Sequence, residues 1–92
     1  MAVYAINYDL KKPGQNYEPL YTAIKTYTIH WHCMDSFWIV RTTESASQVH
    51  KKLSSHIDAN DVLMVSQMGA EAAWSGLPAV GTPWLKDQLK AA

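Results

Sequence analysis

The sequence predicts an α+β fold, because strand-type and helix-type hydrophobic patterns alternate along its 92 residues. That length suits a single domain. Hydrophobic residues make up 48% of the chain and charged residues 17%, which is a globular composition rather than a disordered one. We therefore expect one domain over residues 1–92, with a core over about residues 3–68 and a C-terminal extension over residues 69–92.

Four runs rich in β-branched and aromatic residues predict the strands. The first, residues 3–9, is apolar on both faces, which favours a central position in a sheet. Residues 30–34 and 37–42 flank Asp35-Ser36, a pair that suits the turn of a β-hairpin. Residues 62–68 predict the fourth strand.

Two amphipathic segments lie between these strands and predict helices. Asn16 is the expected N-cap of the first helix, and Ser45 with Gln48 forms the capping box of the second. Apolar residues recur at three- and four-residue intervals in both segments: Tyr17, Leu20, Tyr21, Ile24 and Tyr27 in the first, and Ala46, Val49, Leu53 and Ile57 in the second.

The C-terminal extension predicts one further element. Residues 69–81 contain Gly, Ala and Pro and predict an irregular connection. Thr82 and Pro83 are a cap residue and a first-turn proline, so they predict the start of a short last helix. Leu85 and Leu89, together with Trp84, are the expected anchors of that helix.

The element order β-α-β-β-α-β is the ferredoxin-like plan. Right-handed crossovers place the first and third strands in the middle of the sheet and both helices on one face. The other face stays open unless a partner covers it. The chain carries five Tyr, four Trp and one Phe, more aromatic surface than a domain of this size readily covers. We therefore expect a symmetric homodimer with some of these rings at its interface.

Charge and cysteine content exclude some classes of protein. Eight Lys and Arg balance eight Asp and Glu, which argues against a strong nonspecific grip on nucleic acid. Cys33 is the single cysteine, so the chain has no internal disulfide. No apolar run approaches the roughly 20 residues of a membrane span, and the N-terminus lacks a signal-peptide layout. A cytoplasmic protein without membrane contact is the expectation.

Several short motifs together suggest a family. They are Tyr8-Asp9-Leu10, Lys12-Pro13-Gly14-Gln15, Tyr17, Ala23-Ile24-Lys25, Trp31-His32, Asp35-Ser36, Trp38-Ile39-Val40, Thr42, Asp61 and Trp74. In this pattern the chain resembles the small CRISPR-associated endoribonucleases, and more closely their stand-alone SinR-like relatives. The resemblance implies a ferredoxin-like homodimer and covers most of residues 3–75.

Asp9 is the catalytic and metal-binding residue that the resemblance implies. In the family, the carboxylate at this strand end faces its twofold mate, and two such carboxylates can hold Mg²⁺ for phosphodiester hydrolysis of RNA or DNA. Lys11, Lys12 and Lys25 are the candidate nucleic-acid-binding residues. Family members with nuclease or DNA-scaffold roles carry pairs of Arg or Lys on the first helix, where this chain has only Lys25.

Other interpretations stay open beside hydrolysis. Asp9 can simply hydrogen-bond the following turn. The chain can instead be a non-catalytic dimeric scaffold, or a regulatory or defence-linked protein that binds another protein. A third hypothesis, a small-molecule-binding domain, requires an apolar pocket beneath Trp74.

A few further side chains are candidates for chemistry. Asn7 points the same way as Asp9 and needs a polar partner if it is buried. His30 and His32 share a strand face, which permits a metal but is more typical of surface histidines. Cys33 is expected to be a buried small apolar residue. Six aromatic residues can stack on bases, although core or interface packing is the favoured interpretation: Tyr4, Tyr8, Tyr17, Tyr21, Trp31 and Trp38.

Overall fold

The computed structural model describes residues 1–11, 16–77 and 81–91, which form a four-stranded antiparallel sheet and three helices. The strands are β1 (Ala2–Asp9), β2 (Ile29–Met34), β3 (Phe37–Thr42) and β4 (Val62–Met68), and the helices are α1 (Glu18–Lys25), α2 (Ala46–Ser54) and α3 (Gly81–Ala91). The strand order is β2-β3-β1-β4. The α+β prediction and the ferredoxin-like element order over residues 2–68 are therefore confirmed.

One face of the sheet packs against α1 and α2. Ile6 of β1 and Trp38 of β3 lie in one cluster with Leu20 and Ile24 of α1 and with Leu53 of α2, and all five side chains are essentially removed from solvent. Burial of this apolar surface is the main favourable term in folding. The expected positions of β1 and β3 in the middle, and of both helices on one face, are confirmed.

The sequence suggested that the other face is open, and this prediction is wrong. Helix α3 covers part of that face. Leu85 and Leu89 are 2% and 5% exposed and pack with Val3 and Ile39 of the sheet. At the edge of this contact the rings of Trp31 and Trp84 meet edge to face, with centroids 5.7 Å apart. The two leucines are four residues apart, so they lie on one side of the helix and cover the sheet together.

Local hydrogen bonds explain where the helices begin. The capping box of α2 is confirmed, because Ser45 Oγ accepts from the Gln48 N–H at 3.1 Å and the Ser45 N–H donates to Gln48 Oε1 at 2.7 Å. In α1 the N-cap position belongs to Tyr17, but Asn16 Oδ1 still accepts from the Glu18 N–H at 3.0 Å. The Asn16 side chain thus caps α1 as expected, although Asn16 lies one residue before the N-cap position.

Two boundaries differ from the sequence-based prediction. The first helix ends at Lys25, so Tyr27 lies beyond it, buried and donating its hydroxyl to Glu44 Oε1 at 2.8 Å. The last helix begins at Gly81, and the Thr82 hydroxyl accepts from Trp74 Nε1 at 3.3 Å. No helix in the described part of the chain is long and apolar enough to cross a membrane.

The contact of α3 with the sheet predicts the effect of truncating Leu85. We expect Leu85→Ala to lower the free energy of unfolding by about 2–5 kcal/mol, because it removes buried methyl groups and leaves a cavity. Lys86→Ala, on the exposed side of the same turn, should change it by no more than about 0.5 kcal/mol. Urea denaturation followed by tryptophan fluorescence measures both. Equal midpoints for the two variants would show that α3 does not rest on the sheet.

Candidate functional site at the Asp9 end of the sheet

Asp9 ends β1 and projects into solvent. Its side chain is 63% exposed, and Lys11, which is 52% exposed, donates from Nζ to Asp9 Oδ2 at 2.5 Å. An ion pair this exposed stabilises a protein by no more than about 1 kcal/mol. A metal ion or an anion can therefore displace one partner at little cost. The carboxylate is accessible, as a metal ligand must be.

Asp61 fixes the turn that carries the Asp9–Lys11 pair. Its Oδ1 accepts from the Lys11 N–H at 2.7 Å and its Oδ2 from the Asp58 N–H at 2.9 Å. The Tyr17 hydroxyl contacts both carboxylate oxygens, at 3.1 and 3.0 Å. One carboxylate thus joins the segment after β1, the start of α1 and the turn before β4. The sequence motifs include Asp61, but nothing in the residue pattern assigned it this role.

Asp9 and its neighbours point to the same side of the sheet as α3, but α3 does not cover them. We call these four residues, Asn7, Asp9, Val62 and Met64, the Asp9 surface. Register places Asn7 opposite Met64 and Asp9 opposite Val62, so all four side chains point to the same side. Asn7 is half-buried, and the apolar Val62 and Met64 are 52% and 60% exposed. The end of the sheet beyond α3 therefore presents apolar side chains to water beside one carboxylate.

The three lysines proposed to hold phosphate are not brought together in the described residues. Lys11 is engaged with Asp9. Lys25 lies exposed in the last turn of α1, at the end of that helix away from the segment that follows Asp9. Lys12 lies outside the described residues.

His30 and His32 make hairpin contacts. The Nδ1–H of His30 donates to the Tyr27 carbonyl at 2.7 Å, and the Nε2–H of His32 donates to the Asp35 carbonyl at 3.1 Å. His32 also stacks on Trp38 with ring centroids 3.9 Å apart and an interplanar angle of 8°. One nitrogen of each ring is thus occupied by a backbone carbonyl. Among the residues that the structure describes, no three side chains gather as metal ligands.

Most of the aromatic candidates belong to the core. Four of the six are buried and two are half-buried: Tyr4, Tyr8, Tyr17 and Trp38, and then Tyr21 and Trp31. Trp38 Nε1 donates to the Tyr8 hydroxyl at 3.0 Å, and this hydroxyl donates to the Asp35 carbonyl at 3.1 Å. Burial raises the pKa of Tyr8 above its ordinary value. In this conformation the buried rings are packed rather than free to stack on bases.

Cys33 is half-buried beside the α3 cluster rather than fully buried. Burial raises the pKa of its thiol, and a protonated thiol is a weak nucleophile. The expected role as a small apolar residue agrees with this environment, except for the degree of burial.

A shallow cavity lies between Trp74 and α3. Its volume is about 280 Å³, and Ala70, Ala72, Trp74 and Leu89 line it with Lys86 and Lys90 at one side. Small-molecule sites usually enclose roughly 300–1,000 Å³. The cavity lies where the small-molecule hypothesis requires one, but it is smaller than most such sites.

Comparisons with protein-family models, with curated proteins and with solved structures find no match to this chain. The resemblance described above therefore stays an expectation, and function is argued from the geometry.

The contacts of Asp61 predict a stability effect. We expect Asp61→Ala to lower the free energy of unfolding by about 1–3 kcal/mol, because it leaves the N–H groups of Lys11 and Asp58 and the Tyr17 hydroxyl without their acceptor. Amide exchange at Lys11 and Asp58 should accelerate as well. Asp87→Ala removes the same charge from an exposed position of α3 and is the control. If the two variants unfold at the same urea concentration, Asp61 does not hold the turn.

Proposed function

We propose that this protein is a homodimer that works as a non-catalytic scaffold or binding module. The observation that carries the proposal is the exposed apolar part of the Asp9 surface, Val62 and Met64, which α3 leaves uncovered. Exposed apolar side chains grouped on one face are typical of surfaces that bind another protein. The formal net charge of zero supports a protein partner over a polyanion.

The small number of potential metal ligands around Asp9 also favours binding over catalysis. A divalent cation can displace Lys11 from this exposed pair, but the pair then contributes only the Asp9 carboxylate. Among the described residues, no three His, Cys, Asp or Glu side chains gather to complete a metal site. A metal centre therefore needs a second Asp9 from another copy.

The dimer proposal predicts a mass of twice 10.3 kDa by sedimentation velocity at micromolar concentration. Met64→Lys should raise the dissociation constant, because it places a charge where an apolar side chain is buried by the partner. Ser47→Lys adds the same charge to an exposed position of α2 and should leave the constant unchanged. A monomeric native protein under these conditions contradicts the proposal.

The second candidate function is Mg²⁺-dependent hydrolysis of RNA or DNA at paired Asp9 carboxylates. The 63% exposure of Asp9 on an uncovered surface favours it, because a twofold contact across the Asp9 surface would bring two carboxylates together. Two close carboxylates repel each other, and a divalent cation relieves that repulsion. Mg²⁺ accepts such sparse carboxylate ligation with water and phosphate oxygens. The bound ion would then activate water and stabilise the leaving oxygen.

The two functions predict different results for Asp9→Asn. The scaffold proposal predicts no cleavage of labelled RNA or DNA by either native protein or variant, with Mg²⁺ or Mn²⁺ present. The hydrolysis candidate predicts metal-dependent cleavage that Asp9→Asn abolishes at an unchanged unfolding midpoint. Asp87→Asn, which changes an exposed side chain of α3, should retain native behaviour. Cleavage that survives in purified Asp9→Asn rejects Asp9 as the catalytic residue.

A further inference from the structure

Strand β4 forms an outer edge of the sheet. Its inner side pairs with β1 over all seven residues, from Val62 opposite Asp9 to Met68 opposite Val3. Its outer side has no strand partner within residues 1–11, 16–77 and 81–91. No residue of β4 is buried, unlike the central residues of β1. The outer row of N–H and C=O groups is therefore a template for another strand.

The two edges of the sheet differ in how well they are protected. In β2 the register with β3 shifts between His32 and Met34, and such a bulge disrupts the pairing of an incoming strand. Trp84 of α3 also lies against Trp31 on this strand. By contrast β4 has an unbroken register and contains no charged residue and no proline. Three of the usual devices that block edge pairing, namely a bulge, a charged residue and a proline, are therefore missing from β4.

We propose that the β4 strands of two copies pair antiparallel, with Val65 on the twofold axis, and so form one continuous eight-stranded sheet. This inference rests on the proposed homodimer and specifies how it assembles. In this register Val62 lies opposite the partner's Met68, and Met64 lies opposite the partner's Ser66. A centre at Val65 is the one that pairs all seven residues of the strand.

A second copy is the occupant because no side chain of the strand would meet a like charge across a twofold axis. In a twofold antiparallel pair, residues near the centre face themselves or close neighbours, so a charge there would meet a like charge. The uncharged sequence from Val62 to Met68 avoids this repulsion. Pairing over seven residues adds roughly six to eight backbone hydrogen bonds. It also brings the exposed Val62 and Met64 against apolar and small side chains of the partner.

This arrangement keeps the two Asp9 carboxylates apart. Asp9 lies beside Val62, three residues from the axis, so the two copies are offset by six residues along the strands. With ~3.3 Å per residue and ~4.8 Å between strands, the two Asp9 positions lie roughly 25 Å apart. One metal ion cannot bridge them. Edge pairing therefore supports the scaffold function and excludes the paired Asp9 site.

Disulfide trapping tests the register directly. In a Cys33→Ser background, Val65→Cys places the new thiol on the twofold axis, within the Cα separation of roughly 4.4–6.8 Å that a disulfide needs. Val62→Cys is the matched control, because the two copies of this residue lie about 20 Å apart in the same register. The proposal predicts an intermolecular disulfide for Val65→Cys and none for Val62→Cys under mild oxidation.

The opposite result overturns the edge contact. A disulfide at Val62 and none at Val65 would indicate a face-to-face dimer, because Val62 lies on the α3 side and Val65 packs towards α1 and α2. If neither crosslinks and native protein sediments as a dimer, edge pairing fails while the homodimer stands. If the native protein sediments as a monomer, both edge pairing and the homodimer are contradicted.

A charge variant checks the same edge without cysteines. Ser66→Lys should weaken dimerisation about tenfold or more, because lysine on an edge strand blocks pairing. His30→Lys adds a lysine at an exposed position of the other edge strand, β2, and should leave dimerisation unchanged. Equal dissociation constants for the two variants contradict the proposal.

Discussion

Strand β1 is apolar on both faces, and the rest of the fold follows from the need to cover both. Tyr4, Ile6 and Tyr8 face one side, and helices α1 and α2 cover them. Val3 and Ala5 face the other side, where only α3 is present among the described helices. Leaving either set in water would forfeit the hydrophobic stabilisation that a domain of this size depends on.

Helix α3 is too short to complete that cover. Its 11 residues span about 16 Å, whereas the eight residues of β1 extend over about 26 Å. Leu85 and Leu89 reach the Val3 end of the sheet, and Val62 and Met64 at the Asp9 end stay exposed. The Asp9 surface is thus a result of this short cover, whereas the β4 edge is unpaired because no further strand of the described residues lies beside it. Pairing with a second copy is the way in which we propose that the chain completes this edge and brings Val62 and Met64 against a partner.

The sequence predicted much of the fold because local signals agree with the tertiary structure. Ser45 with Gln48 marks the start of α2, and Asp35-Ser36 marks the hairpin, since both depend on neighbouring residues alone. The contact of α3 with the sheet was not predicted, because leucines four residues apart show that a helix has an apolar side but not what that side meets. The role of Asp61 depends on three segments distant in sequence, so no local pattern contains it.

The prediction that His30 and His32 share a strand face is confirmed, because they lie opposite Val40 and Trp38, and the bulge in β2 determines which face of the sheet that is. Continuing the pairing of Met34 with Phe37 without interruption would set His32 opposite Ile39, on the α3 side of the sheet. The register shift instead sets His32 opposite Trp38, and its ring stacks there at 3.9 Å on the other face. Spacing alone predicts that the two imidazoles lie on one side of the strand, whereas the stacking of His32 on Trp38 depends on the register that the bulge sets.

Concentration-dependent hydrogen–deuterium exchange shows whether a second copy of the chain completes the unpaired β4 edge. We expect the outward-facing β4 amides to be protected at high protein concentration and to exchange rapidly on dilution, while β2 amides exchange at one rate throughout. Exchange in β4 that is equally fast at every concentration, in a protein whose core amides stay protected, would contradict this edge pairing.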